Sequence, residues 1–124
     1  FATLNHLLWG DQFWMSRFGQ GAAPSVAGKD STTFQPSYAA WSAERFRLDG
    51  RITLWAEKLN NLDLQGDLSW FSGTMGQEFS KPLGTCVVGF FNHQTHHRGQ
   101  IHAMLTASEL DAPVTDLIFM PDPQ

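Results

Sequence analysis

Apolar residues recur at helical spacing in three stretches of the chain. The clearest stretch is 37–62, where they lie three or four positions apart and Arg45 fills the one gap: Tyr38, Trp41, Leu48, Ile52, Trp55, Leu59 and Leu62. This spacing is typical of the seam of a helix bundle. In residues 2–18 the apolar positions occupy more than one face, which predicts neighbours on several sides. The third predicted helix covers residues 82–108, with Pro82 in its first turn and Ser80 as its cap.

The segments between these helices differ in length and composition. Residues 19–36 are rich in Gly, Ser, Thr and Pro and predict a long loop. Such a loop can run the height of a bundle, so the next helix need not be antiparallel to the first. Residues 63–81 fit a short hairpin or an extended loop equally well. After Asp111 three prolines predict an extended tail, in which residues 114–120 are apolar enough to pack on the bundle.

Composition limits the class of protein. A length of 124 residues with 42% hydrophobic content suits one domain, residues 1–124. The net charge is -4 and no run of Lys or Arg occurs, so we expect no nucleic-acid partner. One cysteine excludes an internal disulfide and fits the cytoplasm. No stretch approaches the roughly 20 apolar residues that cross a bilayer, so we expect no membrane association.

The segment 92–100, NHQTHHRGQ, carries three of the five histidines within the third predicted helix. His93 and His97 are one turn apart, so both imidazoles project from one side and could chelate one ion. His96 lies about 60° away on the other flank, still within reach of an ion held by His93, so spacing alone leaves two pairs open. His102 lies about 180° away and is expected to be a bystander. Gly89, on the side of His93, would let another helix come close.

The alternative to metal binding is a set of structural histidines. A lone histidine on a helix, such as His6 in the first predicted helix, is more often structural than a ligand. Two imidazoles in an apolar stripe are costly to desolvate without a shared partner, which favours a metal for the pair. Cys86, about 10 Å before His93 along the helix, is too distant to join. Asp11, about 140° from His6, should face solvent or a neighbouring helix.

Two segments, TLNHLLWGDQFW at 3–14 and NHQTHHRGQ at 92–100, together with the ending APVTDL at 112–117, make the chain resemble the DinB family. The resemblance implies an all-α, four-helix bundle in up-down-down-up order, with a long crossover between its second and third helices. It also carries three metal ligands onto His6, His93 and His97, which decides against His96. The segment corresponding to the family's first helix is absent, so we expect a missing segment or a partner chain to cover one side of the core.

The same resemblance implies a function. Family members include thiol transferases that use bacillithiol or glutathione-like cofactors and a mycothiol-dependent isomerase. The first hypothesis is therefore a metal-dependent enzyme, of the thiol transferase or hydrolase type, that uses zinc, nickel or iron, a low-molecular-weight thiol and a small-molecule substrate. The second is a non-catalytic, stress-related metal-binding or interaction protein that forms a homodimer. A metal-free helical module would follow if the imidazoles lay far apart. No residue is predicted to act as a general base.

Overall fold

Helices make up most of residues 1–123, the part of the chain that this computed structural model describes. The elements, in chain order, are α1 (Ala2–Arg17), a 3-10 helix (Gly28–Thr33), α2 (Tyr38–Lys58), β1 (Asp67–Ser72), β2 (Gln77–Pro82), α3 (Leu83–Ala107) and a second 3-10 helix (Leu117–Phe119). Within residues 1–123, no helix has the length and apolar content needed to span a membrane.

The three helices predicted from the apolar spacing are confirmed, and the first and third end within one residue of their predicted ends. The Ser37 hydroxyl accepts a hydrogen bond from the Ala40 N–H and caps α2. Helix α2 ends at Lys58, before the predicted Leu62. The Asn60 side chain accepts hydrogen bonds from the N–H groups of Leu62 and Asp63, and this local turn replaces the helical pattern.

The all-α prediction is only partly right, because residues 67–82 form an antiparallel hairpin. Trp70 lies opposite Phe79, and the two rings stack with centroids 5.8 Å apart. The prediction that Ser80 caps α3 is wrong. Ser80 lies in β2, where its hydroxyl accepts a hydrogen bond from Ser69, and α3 begins after Pro82 without a side-chain cap.

Helix α1 lies at the centre of the fold. It packs against the first 3-10 helix, α2 and α3, and it is buried on several faces, as its sequence predicted. The buried core is formed by Leu8, Met15, Leu48, Ile52 and Phe90, and partly buried aromatic residues surround it: Trp14, Phe18, Phe34, Trp41 and Trp55. This packing fixes the positions of α2 and α3 relative to α1.

The direction of each helix follows from its contacts with α1. The Trp41 indole N–H donates to the Leu4 carbonyl at one end, and Trp55 stacks on Phe18 at 5.1 Å at the other, so α1 and α2 run parallel. Phe90, near the start of α3, contacts Phe18 at the end of α1, with ring centroids 5.7 Å apart. His97, later in α3, lies beside His6 near the start of α1. Helix α3 therefore runs antiparallel to both, and the long loop 19–36 makes the parallel pair possible.

Arg45 interrupts the apolar seam of α2 because it pairs with a buried carboxylate. Asp11 on α1 is 1% exposed, and Arg45 donates to it at 2.8 Å while also lying 2.6 Å from Asp49. Burial raises the pKa of Asp11, and the guanidinium of Arg45 opposes this effect. Of the two surroundings predicted for Asp11, the neighbouring helix is the one observed.

Two interhelical cavities are lined by residues of all three helices. The larger, about 490 Å³, is lined by apolar residues together with five polar or charged ones: Arg17, Gln20, Arg51, Lys58 and Asp63. The smaller, about 250 Å³, is mainly apolar and is lined by residues of all three helices and by Pro113 and Thr115 of the tail. The expectation that residues 114–120 pack on the bundle is wrong for most of them, because the side chains of residues 117–120 are 63–85% exposed.

Truncation of Phe90 tests the packing around α1. Phe90 is 1% exposed and touches Phe18, Trp55 and Phe91, so Phe90→Ala removes a buried ring and leaves a cavity. We expect the free energy of unfolding, measured by urea denaturation, to fall by about 3–5 kcal/mol. The matched variant Phe46→Ala, on a side chain that is 83% exposed, should change it by less than about 0.5 kcal/mol. Equal losses for the two variants would contradict this description of the core.

Candidate metal centre

Three histidines from two helices come together on one side of the fold. His6 lies on α1, and His93 and His97 lie on α3. One ring nitrogen from each lies within 4.8 Å of the other two. The ring centroids are 5.5 Å apart for His6 and His93, 4.8 Å for His6 and His97, and 4.5 Å for His93 and His97. This is the spacing at which three imidazoles could hold one metal ion.

A glycine on α1 makes this convergence possible. A Cβ atom added to Gly10 would lie 3.0 Å from Cε1 of His93, so any larger residue there would press on the ring. Gly10 is one turn after His6, and the ring of His93 therefore reaches the same side of α1 as His6. The prediction that Gly89 provides the close approach is wrong, since a Cβ there would meet nothing within 4 Å.

Two of the three rings are held by polar side chains at Nδ1. His6 Nδ1 lies 2.9 Å from the Ser31 hydroxyl, and His97 Nδ1 lies 2.8 Å from the Gln100 side-chain oxygen. An amide oxygen only accepts, so the proton of His97 is on Nδ1 and its Nε2 is left as an acceptor. Metal-binding histidines usually have such a partner on the second nitrogen.

His93 differs from the other two. Its Nδ1 is buried and has no hydrogen-bond partner in the described part of the chain. An unpaired polar atom in a protein interior is unusual and calls for a partner of another kind. Each of the three histidines thus keeps a ring nitrogen that no protein group of residues 1–123 satisfies, and this fits a shared cation.

The electrostatics of the group favour the neutral form of His6 and His93, which is the form that binds metal. Burial lowers the pKa of His6, and the nearby His97 lowers it further. Burial also lowers the pKa of His93, with smaller contributions from His97, His6 and His96. Like charges so close together disfavour a second proton in the group.

The other candidate residues lie outside this group. His96 is near His97, with centroids 4.9 Å apart, but its exposed ring is not part of the set of mutually close nitrogens. His102 lines the smaller interhelical cavity. Cys86 is buried in α3, and burial raises the pKa of its thiol. Among residues 1–123, no carboxylate joins the three histidines.

Sequence reasoning missed Ser31 and Gln100. Gln100 follows His97 by three positions on one helix, a spacing that places two side chains side by side, so the pattern contained a signal for it. Ser31 lies in a loop 25 residues from His6, and no periodicity relates the two positions. Only the path of the loop brings it to the histidines.

Comparison with known protein families supports the family resemblance of the two segments that carry the histidines. A sequence model described as DinB family matches residues 2–124. No match is found among curated proteins or among solved structures. The match includes His6, His93 and His97 and confirms the resemblance that their surrounding motifs indicated.

The lowered pKa values predict how stability changes with pH. When the folded pKa of a histidine lies below its unfolded value of about 6.5, the unfolded chain binds more protons and stability falls on acidification. The stability that the neutral His6 and His93 contribute should be fully present above about pH 7 and should decrease as the pH falls through 6.5. Urea midpoints measured with a chelator at pH 7.5, 6.5 and 5.5 test this. His93→Gln should weaken the pH dependence, and an equal or steeper dependence in this variant would contradict the assignment.

Proposed function

Since this chain belongs to the DinB family, we propose that His6, His93 and His97 hold one divalent metal ion at a site that serves catalysis. The observation that carries the proposal is the meeting of three ring nitrogens within 4.8 Å of one another. Neutral imidazoles suit zinc, nickel and iron alike, so the metal is proposed by class. Three protein ligands leave positions for a substrate atom, which is the layout of catalytic sites.

The reaction proposed is thiol transfer or hydrolysis of a small molecule. A bound divalent ion supplies Lewis acidity, which stabilises a thiolate or lowers the pKa of water. The protein residues hold the ligands: Gln100 accepts a hydrogen bond from Nδ1 of His97, and burial lowers the pKa of His6 and His93, which favours their neutral form. Cys86 is buried two turns before His93, so a thiol used in the reaction would come from a separate small molecule.

The interhelical cavities favour a second candidate function, a non-catalytic, stress-related interaction protein that binds metal and forms homodimers. Large apolar residues remain exposed along α2 and α3, among them Leu54, Val88 and Met104. Exposed apolar surface of this kind is typical of interaction sites.

We also propose an up-down-down-up bundle in which a fourth helix, from another segment or a partner chain, covers both cavities. The single free cysteine supports a cytoplasmic location.

Replacing the histidines one at a time tests the metal site. His6→Ala, His93→Ala and His97→Ala should each remove stoichiometric metal, because two imidazoles bind an ion much more weakly than three. His102→Ala and His96→Ala should keep it, since neither ring belongs to the group. Elemental analysis of the purified proteins provides the measurement. Metal retained in the first three variants, or lost in His96→Ala, would refute the ligand set.

The choice between the two functions needs activity measurements on the same samples. The metal-loaded protein should accelerate transfer of a low-molecular-weight thiol, or hydrolysis, in a substrate screen, and His93→Ala should abolish that rate. A metal-loaded protein that is inactive throughout the screen would favour the non-catalytic function.

The oligomeric state tests whether a second copy covers the cavities. Light scattering after size exclusion should give twice the chain mass of 13.9 kDa. Leu54→Glu, which places a charge in the lining of the larger cavity, should shift the protein toward the monomer. Phe46→Glu, on the same helix but outside both cavities, should remain dimeric. A monomeric wild type would exclude the homodimer.

A further inference from the structure

The loop between α1 and α2 takes part in the histidine group through one buried hydroxyl. Ser31 is 3% exposed, and its Oγ lies 2.9 Å from Nδ1 of His6. We propose that Ser31 is a positioning residue that fixes the ring of His6 with Nε2 directed to the metal, and that Asn5 holds the loop for this purpose. The inference rests on the proposed metal site.

Asn5 attaches the loop directly beside His6. Its side chain is fully buried, and its amide N–H groups donate to the carbonyls of Thr32 and Gln35, each at 3.2 Å. Its oxygen accepts a hydrogen bond from the Gln35 N–H at 3.0 Å. Every polar atom of this amide is therefore used on the backbone that follows Ser31. Such a satisfied buried amide costs little in desolvation and fixes one geometry.

A second attachment of the loop lies one helical turn after Asn5 on α1. The Trp9 indole N–H donates to the Val26 carbonyl at 2.9 Å. Gly28 packs against the same indole, where a Cβ would lie 3.2 Å from the ring. Trp9 thus holds the loop before Ser31, and Asn5 holds it after Ser31. These contacts hold the backbone on both sides of Ser31 independently of His6.

This arrangement has a chemical consequence for His6. A histidine that binds a metal through Nε2 carries its proton on Nδ1, and that N–H can donate to the Ser31 oxygen. Gln100 accepts in the same way from His97, so both rings would present the same nitrogen to the ion. Without the hydroxyl, His6 loses the hydrogen bond that fixes the rotation of its ring.

Removal of the hydroxyl tests the role of Ser31. We expect Ser31→Ala to weaken zinc binding about 10–100-fold, measured by competition with a chelator of known affinity. The matched control is Thr33→Ala, in the same 3-10 helix, whose exposed hydroxyl donates to the Asp30 carbonyl and contacts no histidine. Thr33→Ala should bind zinc as the wild type does. Equal affinities for wild type and Ser31→Ala would overturn the inference.

A readout on the ring itself separates this inference from the metal proposal. In metal-free protein, the ¹⁵N signals of the His6 ring should move in Ser31→Ala and stay unchanged in Thr33→Ala. Unchanged His6 signals in Ser31→Ala would overturn the positioning role. A wild type that binds no zinc, with His6 signals that still depend on Ser31, would refute the metal site and leave the orientation of His6 by Ser31 supported.

A measurement on the wild type alone covers the case in which Ser31→Ala does not fold. In zinc-loaded wild type, ¹⁵N spectra should show the proton of His6 on Nδ1. A His6 ring with Nδ1 unprotonated in that sample would overturn the inference.

Discussion

The close packing of α1 against α3 at Gly10 sets the distance on which the histidine group depends. The ring of His93 lies where a side chain at position 10 would be, and this brings it within reach of His6. The core residues Leu8, Met15 and Phe90 hold the two helices in this relation along the rest of their length. Because packed interiors resist small displacements, the same contacts that stabilise the fold also fix the geometry of the three rings.

Buried polar groups connect the elements that the apolar core brings together. Asn5 ties α1 to the long loop, and Asp11 ties α1 to α2 through Arg45. Each such group is costly to bury unless it is paired, and each here is paired with a different element. Any other arrangement of these segments would leave the buried polar groups unpaired and would be less stable. The polar pairs therefore favour one arrangement of the segments, which an apolar core alone specifies less well.

The apolar spacing was sufficient to predict the three helices, because a buried stripe with a period near 3.6 leaves a clear pattern. It failed where local hydrogen bonds compete with that pattern, as at Asn60, whose side chain ends α2 although Leu62 continues the stripe. The spacing in residues 63–81 does not distinguish a hairpin from a loop, because the glycines of this segment fit either. Helix geometry indicated His93 together with either His97 or His96, whereas the choice of His97 and the addition of His6 needed the family resemblance. The roles of Ser31 and Gly10 rest on contacts between segments that are distant in the sequence, and residue spacing does not predict such contacts. The assignment of residues 1–124 to a single domain stays a prediction.

The ligand positions have a consequence for the unfolded chain. His6 and His93 are 93 - 6 = 87 residues apart, so a cation held by both would act as a removable cross-link that closes most of the polypeptide into one ring. Closing so long a ring in the unfolded chain costs conformational entropy, so the ion would bind the native state much more tightly than the unfolded ensemble. The melting temperature would then follow the free metal concentration, and the supply of metal in the cell would govern how long the protein survives.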